Sequence, residues 1–245
     1  SATANGVIGF TFAEISAAPR ARIISVIDKS LYAGDLEEGS TSVRKSHVDA
    51  GSNPPFSSWS VSTSATGGSL LSYRNAGRVN VITNLANVII VGCDNGKWAF
   101  STSTIDSSGT LVKIDNTEMF RVDVGMKSAI QTKEGIFYTN SQGVWQLTAL
   151  GQSDIKFSDQ EMVVSNALGN DYFLNADFSD SDMVKDDKRN LLLVTYRDDS
   201  DANNRVLCYN TDLKGFSIFK GWNIRCFLKD GDSIYGGGSS TGKLW

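Results

Sequence analysis

A single histidine limits the nucleophilic chemistry open to this chain. His47 stands alone in Arg44-Lys-Ser-His-Val-Asp49, where a strand end runs into a polar loop. A Ser-His-Asp arrangement would have to pass through it, yet no G-x-S-x-G elbow supplies a serine on a strained turn. Walker A and H-E-x-x-H patterns are also absent. Cys93, Cys208 and Cys226 are widely spaced and contain no C-x-x-C pair. An odd, scattered set with one histidine as companion fits neither a disulfide framework nor a zinc site, so three buried reduced thiols are expected.

Carboxylates are the other chemical resource. Ser103-Thr-Ile-Asp-Ser-Ser-Gly109 resembles a sialidase-type Asp box, but it has an extra residue before the aspartate and no aromatic after the glycine. Asp94-Asn-Gly-Lys-Trp98 lacks the leading serine, and no three arginines stand at corresponding strand ends to clamp a carboxylate. Two acidic stretches remain: Asp177 to Asp182 with Asp186-Asp187, and Asp198-Asp199-Ser-Asp201. Calcium wants six to eight oxygens, and Asp180, Asp182, Asp198, Asp199 and Asp201 are the weak candidates. Neither stretch follows the EF-hand or nonapeptide pattern, so solvated loops are the adopted reading. Gly236-Gly-Gly238 reads as a hairpin turn, because no Lys-Ser/Thr and no helix follow to hold a phosphate. No catalytic residue, cofactor or metal is assigned.

The chain has 245 residues, 40% of them hydrophobic, with a net charge of −4. That is enough for one large all-β domain or two small ones. No window carries a run of Lys or Arg, which argues against binding nucleic acid by charge neutralisation. No stretch approaches the ~20 apolar residues of a membrane span. The opening Ser1-Ala-Thr-Ala-Asn-Gly has no secretory pattern, and the chain reads as a segment of something longer.

Five strand–turn–strand units must position whatever the chain does. They are Leu31–Gly34 with Thr41–Ser46, Val88–Gly92 with Gly96–Ser101, and Ile136–Asn140 with Gly143–Thr148. Leu191–Tyr196 with Asn204–Asn210 and Ser233–Gly237 with Gly242–Trp245 complete the set. A strand precedes each unit and another usually follows, Phe56–Ser62 in the first repeat. The spacing averages near the ~40–50 residues of one four-stranded propeller blade. Trp98 and Trp145 stand two residues after Gly96 and Gly143, and Trp245 stands three after Gly242. Tryptophan at equivalent positions suggests a repeated plug between blades. Ser158-Asp-Gln-Glu161 reads as a capping box, which predicts a short helix from Ser158 to Gly169 between blades three and four. The expected fold is an all-β, five-bladed propeller of four-stranded blades over residues 20–245. Residues 1–19 would hold a ring-closing strand at Asn5–Ala13.

The order of these motifs resembles the propeller domain of podovirus tail nozzle proteins, also called tail tubular protein B or DNA-stabilisation proteins. Ile23 to Gly34, Ser42-Val-Arg-Lys-Ser46 and Phe56-Ser-Ser-Trp59 resemble the family's opening. Ala86 to Trp98 resembles its second blade and Lys133 to Trp145 its third. The resemblance implies a structural virion protein of a bacteriophage tail with no catalytic residues, assembled in the host cytoplasm. It implies a homo-oligomeric ring, hexameric in the family, around the channel of DNA ejection. A tail adaptor protein and tail fibres would be its neighbours, and duplex DNA would pass without tight binding. A carbohydrate- or protein-binding propeller, receptor-binding or lectin-like, is the alternative, with a glycoside hydrolase behind it.

Overall fold

The computed structural model describes residues 18–37, 39–47, 59, 68–72, 77–85, 88–105, 111–113, 129–140, 143–150, 156–161, 175–199 and 202–238. They form small antiparallel sheets in chain order, and no helix occurs among them. The first sheet is β1 (Ala21–Ile27), β2 (Ser30–Leu36), β3 (Gly39–Lys45) and β4 (Ser69–Ser72), each strand paired with the next. The second repeats that meander with β5 (Val79–Leu85), β6 (Val88–Cys93), β7 (Gly96–Ile105) and β8 (Leu111–Lys113). The third does so with β9 (Ala129–Thr132), β10 (Gly135–Asn140), β11 (Gly143–Leu150) and β12 (Lys156–Glu161). A two-residue strand, β13 (Ala176–Asp177), opens the fourth sheet by pairing with the far end of β15. β14 (Met183–Asp186), β15 (Leu191–Asp198), β16 (Arg205–Asn210) and β17 (Gly215–Lys220) follow. The fifth sheet shows β18 (Ile224–Asp230) and β19 (Ser233–Gly238).

Local chemistry accounts for the hairpins. Asp28 and Lys29 both have positive φ, 47° and 61°, between paired Ile27 and Ser30. That is the primed two-residue turn whose twist matches the flanking strands. At Gly135, φ is 131° and an added Cβ would lie 2.3 Å from the carbonyl oxygen of Leu147 on β11. Only glycine fits so close a cross-strand approach.

Consecutive sheets pack face to face, with β1 against β5, β5 against β9, β9 against β14 and β14 against β18. Each of the first three junctions encloses its own apolar cluster. Ile23, Ile27, Tyr32 and Val43 meet Val79, Ile82, Ile89 and Val91 between the first two sheets. Leu85, Val88 and Ile90 meet Ile136, Tyr138 and Leu147 at the second junction. Phe137 and Val144 meet Met183, Leu192, Val194 and Leu207 at the third. Strands covered on both faces must be apolar on both, which is why β6 and β10 are buried at every residue.

Several expectations are corrected. Ser158 and Glu161 do not cap a helix: in β12 they stand opposite Thr148 and Trp145 of β11. A capping box satisfies two amides, whereas a ladder along β11 satisfies backbone groups throughout the segment. Residues 162–169 lie outside the described residues. The fourth strand of the first sheet is Ser69–Ser72, not Phe56–Ser62. Trp59, the described residue of that stretch, is outside any strand and buried on Ala33 and Leu36. Gly236, Gly237 and Gly238 continue β19 rather than making a turn. The proposed strand at residues 5–13 lies outside the described residues.

Candidate functional site

The junction between the fourth and fifth sheets is built differently from the others. Its fastenings are polar. The Phe227 amide on β18 donates to Asp182 Oδ2 at 2.7 Å, across 45 residues of chain. Asp182 is held in turn: its own amide donates to Thr195 Oγ1 at 2.8 Å, and the Asn203 side-chain amide donates to the same oxygen at 3.1 Å. At the other end of β18, Lys229 pairs with Asp187, which Lys185 also approaches at 3.2 Å. Those two ammonium groups hold the Asp187 carboxyl below its ordinary range.

Between these fastenings lies a cleft of about 370 Å³. Leu193, Ile224, Phe227 and Ile234 give it an apolar floor, with Trp222 at its side and Asp186, Arg189 and Asp232 as its polar groups. Trp222 is stacked on Phe219, ring centroids 4.7 Å apart at 11°, and both are among the exposed large apolar residues. Asp186 is buried, which raises its pKa, but bonds from the Arg189 side chain and from the Arg189 and Lys188 amides prevail and lower it. Asp186 is thus held as an anion on the cleft wall, with its oxygens bonded to Arg189 and the Lys188 amide. Strand periodicity alone could not find this cleft, because its walls come from two sheets and its Trp222 from the connection between them.

Of the tryptophans expected as plugs, Trp98 and Trp145 are half-buried. Trp98 stands opposite Val91 and packs on the cluster between the first and second sheets. Trp145 stands opposite Tyr138, stacks on it at 6.4 Å and 15°, and packs on the cluster between the second and third. Its Nε1 donates to Asn140 Oδ1 at 3.0 Å, and the Gly143 amide donates to the same oxygen at 3.2 Å. Gly96 and Gly143 open the strands carrying these indoles, with φ of 136° and 150°. The buried Lys97 bridges the same two sheets, donating to the Tyr138 hydroxyl at 3.0 Å. Trp245 lies outside the described residues.

The acidic candidates do not converge. Asp182 serves Phe227, Asp198 pairs with Arg205 at 3.3 Å, and Asp199 accepts from Asn175 at 2.9 Å. Asp180 is exposed, and its backbone carbonyl accepts from Asn203. Asp201 lies outside the described residues. Among the described residues no three His, Cys, Asp or Glu side chains gather as a metal would require. Cys93 and Cys208 are buried, but Cys226 is exposed, which corrects the expectation of three buried thiols. Burial, aided by the charge of Asp94, pushes the Cys93 thiol up to about 12. Ser46, beside His47, spends its hydroxyl on structure: it donates to the His47 carbonyl and accepts from the Leu31 amide.

No family model matches the chain, and no curated protein matches its sequence. Solved structures do resemble it. An extracellular domain of a hybrid two-component system from B. thetaiotaomicron superposes with a TM-score of 0.54 at 15% identity, covering 96% of this chain and 28% of that one. An extracellular domain from the same organism, described as part of a one-component system, gives 0.51 at 15% identity with the same coverage. A luciferin-regenerating enzyme reaches only 0.35 at 10% identity over 85% of this chain and 80% of its own, too low to carry an argument. At such identities the first two establish likeness of fold alone. This chain spans 28% of their length.

Proposed function

We propose that this chain is a structural component of a bacteriophage tail, a β-propeller of the nozzle type that forms a ring around the DNA-ejection channel. The observation that carries the reading is the order of the nozzle-like motifs, which fall on one β-hairpin in each of the first three sheets: β1–β2, β6–β7 and β10–β11. The stacking of each sheet on the next is what a propeller requires of its blades. A net charge of −4 without a basic run suits a conduit, since many phosphate contacts would hold the duplex and slow its exit.

In this reading the sheets are packed solid, and DNA runs between the inner faces of neighbouring copies. The ring partners are copies of this chain, an adaptor ring and tail fibres. Imaging of the intact particle tests it: several symmetric copies around the tail axis are expected. A single off-axis copy overturns the conduit reading and favours a receptor- or glycan-binding role.

A further inference from the structure

The cleft beside Trp222 brings together what the sequence scatters: an indole ring, two carboxylates and an arginine along one junction. Its aromatic wall is held in place. Gly221, with φ of 79°, turns the chain after β17, and the Ile224 amide donates to the Trp222 carbonyl at 2.9 Å. Phe219, stacked on the indole, fixes the plane of the ring. The polar groups are only partly engaged. Arg189 gives one guanidinium N–H to Asp186 at 2.8 Å, and its side chain has no other partner among the described residues. Asp232 is exposed and has no hydrogen bond or ion pair among them. A guanidinium carries five donors and a carboxylate only acceptors, so the cleft offers unpaired groups of both kinds.

These features select a ligand class by elimination. The lining groups and the adjoining clamp carry three negative charges, on Asp186, Asp187 and Asp232, and three positive ones, on Lys185, Arg189 and Lys229. A charged ligand would upset that balance, whereas a neutral one leaves it intact. A hydrocarbon would cover Leu193, Ile224 and Phe227 but strip water from Arg189 and Asp232 without replacing its bonds. A hydroxyl both donates and accepts, so it serves the carboxylate and the guanidinium alike. A ring with an apolar C–H face and hydroxyls around its edge meets every condition. We propose that this cleft is a binding subsite for a neutral hexopyranose. Its C–H face lies on the apolar floor beside Trp222, while its hydroxyls donate to Asp232 and accept from Arg189. At about 370 Å³ the cleft is at the small end of the ~300–1,000 Å³ of ligand pockets and suits a single sugar residue. The inference does not depend on ring assembly, so it and the tail reading can fail separately.

The test uses the full chain, with the methyl glycosides of glucose, mannose and galactose as probes. Tryptophan fluorescence and saturation-transfer NMR follow the binding. At least one glycoside should bind with a millimolar Kd and change the tryptophan emission. Asp232→Ala removes an exposed, unpaired carboxylate, so it should melt like the parent yet bind that glycoside about tenfold more weakly. Trp222→Ala should lose both the emission change and the saturation transfer to the sugar's C–H face. If Trp222→Ala does not fold, Asp232→Ala decides alone. Glucosamine and glucuronate, cationic and anionic forms of the same ring, should bind more weakly than the neutral glycoside. No binding by any of the three glycosides near their solubility limit overturns the proposal. So does binding that Asp232→Ala leaves unchanged. Free indole binding more tightly than every glycoside also overturns it, since the cleft would then be a purely apolar site.

Discussion

Trp145 joins three kinds of interaction at one residue: a stacked ring, an indole N–H bond to Asn140, and burial against the second sheet. Because the side chain is half-buried, Trp145→Ala should cost about 2–3 kcal/mol, less than the ~3–5 kcal/mol of a fully enclosed tryptophan. A urea titration measures this, and an unchanged midpoint would mean that the ring carries no packing. Thiol chemistry is as sharply divided by position. With Cys93 and Cys208 buried and Cys226 exposed, a maleimide at neutral pH should label one cysteine per folded chain and all three after unfolding.

At Asp177, burial alone would raise the pKa, but bonds from Ser179 and Arg197 outweigh it and hold the carboxyl below its ordinary range. A carboxylate lowered in the folded state binds its proton more readily once unfolded. Its stabilisation is therefore complete above the ordinary Asp value of about 4 and is lost as pH falls through that value toward the lower folded one. Melting temperature should drop more steeply from pH 6 to pH 3 in the parent than in Asp177→Asn. Parallel curves would remove Asp177 from the acid response.

At the scale of elements, the fifth sheet depends on a carboxylate supplied by the fourth. Asp182→Ala removes the acceptor of the Phe227 amide and leaves a partly buried donor without its bond. Such losses cost about 1–3 kcal/mol. Hydrogen exchange should show β18 opening faster while β5 to β7 keep their protection. Equal acceleration throughout would mean that the sheets unfold as one unit and the clamp is not local.

For the whole molecule, the prediction concerns charge. A chain with net charge −4 and no basic run should bind duplex DNA only weakly, with little dependence on salt. A filter-binding or anisotropy titration between low and physiological salt measures this. Tight binding whose logarithm falls steeply with salt would contradict a passive conduit.

The sequence determined most of the strands and their hairpin partners, because turn residues and short β-branched runs are local signals. Ile136–Asn140 facing Gly143–Thr148 was legible from the residues alone, and the pairing of Tyr138 with Trp145 follows from it. The segment Ser158 to Glu161 was not, since its side chains suit a capping box and an added strand equally, and the exposed edge of β11 decided between them. Trp59 shows the same limit: its apolar surroundings look like a strand's, yet it covers Ala33 and Leu36 from outside the ladder. The cleft lay further out of reach. Leu193, Trp222, Phe227 and Gly236 come together only because β14 and β15 lie against β18. Asp182, read from sequence as a solvated acid, became a clamp for the same reason. Periodicity reports which residues share a face of one strand. Which face meets which is set by the burial of several sheets at once, and that lies in no single stretch of chain.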